Sequence, residues 1–130
     1  LVKGKYNTAK DSTAIYAQYW NFKYRMEGTV QLEELLETTM KQSTFKKVTQ
    51  PVLMLYYFKD EKHQDNVVKI SAMKRMFSQL GTPENLKRQI AIPNAGDHVI
   101  GSYIKSKDVI TVQEECDKFA TEVLKLSTYQ

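Results

Sequence analysis

An α/β fold, in which parallel strands are joined through a helix, is what this sequence predicts, and three observations predict it. Residues 50–58 read Gln50-Pro51-Val52-Leu53-Met54-Leu55-Tyr56-Tyr57-Phe58, a continuous apolar run opened by a proline and closed by charge. Such a run is the composition of a strand buried on both faces, as in a parallel sheet. A helical apolar period then occupies residues 67–80, followed by a second short strand. Strand, helix and strand with short connections give parallel neighbours. Finally, both strands end in loops that carry ionisable residues, the place where open α/β sheets bind ligands and hold reacting groups.

The 130 residues, 42% apolar and 26% charged, have the size and composition of one globular domain. The net charge of +4 comes from 19 basic and 15 acidic residues spread along the chain, with no basic run longer than two. Nucleic-acid binding is not expected, because such footprints cluster on one face or helix. No apolar stretch approaches the roughly 20 residues that cross a bilayer. The single cysteine, Cys116, excludes an internal disulfide and fits a reducing compartment such as the cytoplasm. The chain opens at Leu1 without an initiator methionine or a signal-like segment, so a processed product or a piece of something longer is expected.

In chain order, residues 1–9 are expected to be an extended lead-in. A helix is expected from Asp11 or Ser12 as N-cap, with Ile15, Tyr16, Tyr19, Trp20 and Tyr24 at helical spacing and Gly28 as its stop. The aromatics between Tyr6 and Tyr24 either pack this helix, the simpler reading, or wall an apolar substrate. A second helix is expected over residues 30–40, with Leu32, Leu35, Leu36 and Met40 on one stripe and Glu33, Glu34 and Glu37 away from it. Polar residues 41–50 approach the strand. After the acidic loop, Ile70, Met73, Met76, Phe77 and Leu80 recur at helical spacing, and Gly81 is expected as the C′ residue. The second strand falls at residues 86–92, with Ile90 and Ile92 inward. The last helix is expected from Thr111, where Thr111-Val112-Gln113-Glu114 reads as a capping box, to about residue 126.

Burying Val52, Leu53, Met54 and Leu55 is worth roughly 1.5–3 kcal/mol each, about 6–12 kcal/mol in all. Ordering about seven strand residues costs about 1–2 kcal/mol each in backbone entropy. The two nearly cancel, and a two-stranded sheet cannot cover its own faces, so more strands are expected than this chain supplies.

The chemistry is expected at the strand ends. The loop after the first strand holds Asp60, His63 and Asp65, and the loop after the second holds Gly96-Asp97-His98. A carboxylate beside an imidazole can accept its Nδ1 proton, fix the tautomer and leave Nε2 free to take a proton from a nucleophile. That is the acid and base of a hydrolytic triad. Two other patterns carry less. Ser-x-x-Lys occurs at Ser43, Ser71 and Ser102, which in a lysine-rich chain without a Ser-Asp-Asn or Lys-Thr-Gly partner reads as chance. His63 with Asp60, Glu61 and Asp65 reads as a solvated loop, and no metal or cofactor is expected.

The order Pro51-Val52-Leu53-Met54-Leu55, an aspartate loop, a helix ending at Gly81, a short strand, Gly96-Asp97-His98 and a final amphipathic helix resembles the C-terminal half of an α/β-hydrolase. The likeness covers about residues 49–126; residues 1–48 resemble the helical lid that such enzymes insert, so a lid-like segment 1–48 and a partial core 49–130 are expected. The resemblance makes His98 the general base. It makes the acid Asp65, since Asp65-Asn66-Val67-Val68 looks like the family's aspartate followed three residues later by valine, or else Asp60, which lies closer to the strand. The family's nucleophile elbow, Gly-x-Ser-x-Gly, is absent from these residues. The resemblance therefore implies the C-terminal portion of a serine esterase or acyl hydrolase, inactive alone and taking a small acyl substrate, with its serine upstream. Its partner is then the missing half, or a second copy through the open sheet edge. The other expectation is a non-catalytic binding or assembly module that kept this fold and uses its aromatic surface.

Overall fold

The computed structural model describes residues 5–8, 13–21 and 23–127, and the chain divides into two compact units, Leu1–Lys41 and Gln42–Gln130. The whole is mixed α/β.

In the first unit, β1 (Tyr6–Thr8) is followed by α1 (Ala14–Tyr19), β2 (Lys23–Arg25) and α2 (Met26–Thr39). The single helix expected to run to Gly28 is thus two elements with a strand between them. Strand β2 pairs antiparallel with β1, with Asn7 opposite Tyr24. The Asn7 amide donates to the Tyr24 hydroxyl at 2.9 Å, and the Lys23 ammonium lies 4.6 Å from the Tyr6 ring centroid. These contacts join residues far apart in sequence, which a helical period cannot register. The expected caps Asp11 and Ser12 lie outside the described residues; Thr13 is the N-cap of α1, its hydroxyl accepting from Tyr16 N–H at 3.4 Å. Gly28 lies in the first turn of α2 and stops nothing, because the helix begins two residues earlier, where extended Arg25 bonds to Glu27 at 3.2 Å. None of the residues of α1 or α2 is buried.

The second unit begins with a short helix, α3 (Gln42–Phe45), then β3 (Val52–Tyr56), the small strands β4 (Phe58–Asp60) and β5 (His63–Gln64), α4 (Ile70–Ser78), β6 (Lys87–Ala91) and α5 (Val109–Glu122). Residues 42–48, expected with the lid-like segment, are tied into this unit. Gly81 N–H donates to the Phe45 carbonyl at 3.2 Å, and the buried Thr82 hydroxyl donates to the carbonyls of Val48 and Gln50. Gly81 is not the left-handed C′ residue expected, since the helix is capped at Gln79. Glycine is required there by close approach: a Cβ would stand 2.2 Å from the Lys46 carbonyl oxygen.

Strands β3 and β6 are parallel and in register from Val52 opposite Lys87 to Tyr56 opposite Ala91. Met54 and Tyr56 pack with Ile70 and Phe77 of α4 in the buried core. On the opposite face Arg88 bonds to Glu122 of α5 at 2.7 Å, so each face of the strand pair carries a helix. Ile92 and Ala95 are wholly buried just past β6. Among the described residues no further strand joins this pair, and no helix is long and apolar enough to cross a membrane. Helix α5 starts before the expected Thr111: Asp108 is its N-cap, accepting from Thr111 N–H at 3.2 Å.

Candidate active site

Because β3 and β6 run the same way, the loops that leave their carboxyl ends emerge at the same end of the sheet. The first folds back as the β4–β5 hairpin, with Phe58 opposite Gln64 and Asp60 opposite His63. Asp65 follows the hairpin, and its N–H donates to the Tyr57 carbonyl at 3.0 Å, which returns the chain to the tip of β3. Its Oδ1 accepts from the N–H groups of Val67 and Val68 at 2.8 and 2.9 Å. These two amides are therefore held in a side-chain-capped turn, and α4 begins at Ile70 instead of residue 67.

The second loop is fixed at both ends. Ile92 N–H donates to the Tyr56 carbonyl at 2.8 Å, extending the link between the strands past β6, and Lys107 N–H donates to the Ala95 carbonyl at 2.9 Å. Gly96 turns the chain at φ 73°, a conformation in which a side chain is strained. The Asp97 carboxylate accepts from Val99 N–H at 2.9 Å and so shapes the turn that carries His98.

The structure brings Asp65 and His98 together. Nδ1 of His98 lies 2.5 Å from Oδ2 of Asp65, whose side chain is only 4% exposed while that of His98 is 40% exposed. An ionised carboxylate only accepts, so Nδ1 carries the proton and donates it. Burial is the largest single influence on the Asp65 carboxyl and pushes its pKa up. The His98 hydrogen bond, the two backbone N–H groups and the attraction of the imidazole outweigh it, and the pKa lies below the usual aspartate value. Nε2 of His98 has no hydrogen-bond partner among the described residues. The arrangement is a buried anion orienting a half-open base.

Asp60, the other candidate acid, is not in this pair. Both its oxygens lie 2.9 Å from Nδ1 of His63, and its Oδ1 also accepts from the N–H groups of Lys62 and His63. The His63 hydrogen bond holds its carboxyl below the usual value. This second acid–imidazole pair is exposed at the hairpin turn. Among the described residues no three His, Cys, Asp or Glu side chains stand together as a metal site. Sequence reasoning missed the N–H groups of Val67 and Val68 and the Tyr57 carbonyl, which aim the acid; backbone groups leave no residue-type signal.

Comparison with protein-family models, with curated proteins and with solved structures gives no match.

Proposed function

We propose that Asp65 and His98 are the acid and base of a serine hydrolase of the α/β-hydrolase type, acting on an ester or related acyl compound. The observation that carries this reading is the 2.5 Å contact between a buried carboxylate and Nδ1 of a half-exposed histidine, at the carboxyl ends of two adjacent parallel strands. The nucleophilic serine belongs to residues outside this chain, which by itself is inactive by this route.

In the complete enzyme the serine Oγ attacks the acyl carbon while Nε2 of His98 takes the hydroxyl proton. That proton passes to the departing alkoxide as the acyl–oxygen bond breaks. Water then attacks the acyl-serine, giving its proton to Nε2, and the serine leaves protonated with the acid product released. Asp65 keeps Nδ1 protonated throughout and stabilises the imidazolium in each half-reaction. The open edge of β3 takes the next strand of the sheet from the part that carries the serine, since a parallel sheet is stable when both faces and neighbours are filled.

The test is labelling of the protein encoded by the complete gene with a fluorophosphonate probe. One serine reacts in the wild type, and His98→Ala abolishes the reaction; undiminished labelling of that variant defeats the proposal. Exposed side chains in the first unit, among them Tyr19, Val30 and Leu35, favour the second reading, a non-catalytic module that binds a partner through them. Under that reading no serine of the complete protein is labelled.

A further inference from the structure

A cleft of about 500 Å³ lies between the β4–β5 hairpin and the beginning of α4. Lys62, on the hairpin turn, and Lys69 and Lys74, at and within the helix, line it together with the acids Glu61 and Asp65. None of the three lysines is ion-paired among the described residues. Asp65 and Glu61 form no ion pair with them, the Asp65 oxygens accepting instead from His98, Val67 and Val68, so three ammonium groups stand against two carboxylates in the lining. Lys74 is held by aromatic faces: its ammonium lies 5.2 Å from the Phe58 ring centroid and 5.6 Å from that of Tyr56. An ammonium placed by ring quadrupoles keeps its whole charge for an anion. Phe58 and Ile70 supply apolar surface in the same cleft.

We propose that this cleft binds a small organic anion, a carboxylate or phosphate monoester carried on an apolar body. The anionic group sits among the ammonium groups of Lys62, Lys69 and Lys74, and the body lies against Phe58 and Ile70. The volume falls within the roughly 300–1,000 Å³ of small-molecule clefts. Lysines act as point charges with rotatable donors and accept either oxyanion, whereas a planar arginine fork, missing from this lining, would select bidentate geometry. The inference does not rest on the hydrolase reading. It does give that pair a reporter role, since Asp65 both lines the cleft and holds His98.

The experiment is titration of the ¹⁵N-labelled 130-residue chain with phenyl phosphate, benzoate and inorganic phosphate, followed by amide and imidazole resonances. Saturable shifts at Asn66, Lys69, Ser71 and Lys74, accompanied by movement of the His98 Nδ1 signal, are expected with at least one of the two aromatic anions. Phenyl phosphate and benzoate separate the phosphate from the carboxylate source. Inorganic phosphate is expected to bind roughly tenfold more weakly than phenyl phosphate if the phosphate source holds, because it leaves the apolar surface uncovered. The combined variant Lys62→Gln, Lys69→Gln and Lys74→Gln is expected to lose roughly tenfold or more in affinity, with its His98–Asp65 proton resonance retained as proof of folding. Absence of saturable shifts with both aromatic anions, shifts confined to other surfaces, or unchanged affinity in a folded triple variant overturns the proposal.

Discussion

The two oxygens of Asp65 have different tasks, and substitutions separate them. Asn at this position presents one acceptor and one NH₂ donor. If its oxygen keeps the N–H groups of Val67 and Val68, its nitrogen faces His98 and the imidazole must present a bare Nδ1, with the proton moved to Nε2. Under the hydrolase proposal, Asp65→Asn in the complete protein is therefore expected to lower turnover by about 10⁴, as tautomer errors do in triads; near-normal turnover removes Asp65 from the role of acid. For the isolated chain the pH dependence follows from the lowered Asp65 pKa. The folded state binds this proton less readily than the unfolded state, so the stability Asp65 adds is fully present above the usual aspartate value. It is lost as pH falls through the lower, folded value. Urea midpoints measured from neutral pH to about 3 should fall more for the wild type than for Asp65→Asn; parallel curves contradict the assignment. Asp60 is also depressed, but its pair with His63 is in water, and Asp60→Asn should leave the urea midpoint almost unchanged.

At the level of helices and strands, the same local chemistry decides both stability and how much a reader of the sequence could see. Asp108→Ala removes the cap of α5 and is expected to cost about 1 kcal/mol in urea unfolding. Gly81→Ala sets a methyl group against the Lys46 carbonyl and should cost more, about 1–3 kcal/mol, with no φ effect to blame. The parallel pair and α4 were legible because residues 50–58 form a continuous apolar run and Ile70, Met73, Met76 and Phe77 recur at helical spacing, and α5 because an amphipathic stretch follows a helix-start signal. The exact helix starts were not, because Asp65 and Asp108 capture amides through side chains that compete with plausible alternatives such as Thr111. The antiparallel pairing of β1 with β2 was hidden for another reason: Tyr24 fits a helical stripe equally well, and only its pairing with Asn7 makes it a strand residue. Within the candidate site, the residue types and the strand ends pointed to Asp65 and His98 without deciding between Asp65 and Asp60. That choice depended on the hairpin, whose turn engages Asp60 with His63 and leaves Asp65 beyond it.

Over the whole chain, the described residues supply two parallel strands where such sheets ordinarily have more. The hydrolase reading expects β3 to accept a neighbour from the remainder of the protein, so separately expressed halves should assemble, as measured by co-purification and recovered probe labelling. Halves that stay apart, each monodisperse by light scattering, argue against a shared sheet. The in-register ladder from Val52 opposite Lys87 to Tyr56 opposite Ala91 has a further consequence. Sliding one strand by a single residue moves its tip by about 3.3 Å and turns its side chains over, more than a 2.5 Å hydrogen bond survives. The proton that His98 Nδ1 donates to Asp65 thus works as a gauge of strand alignment: its resonance marks only molecules whose sheet has zipped correctly, and a refolding experiment can count them by it.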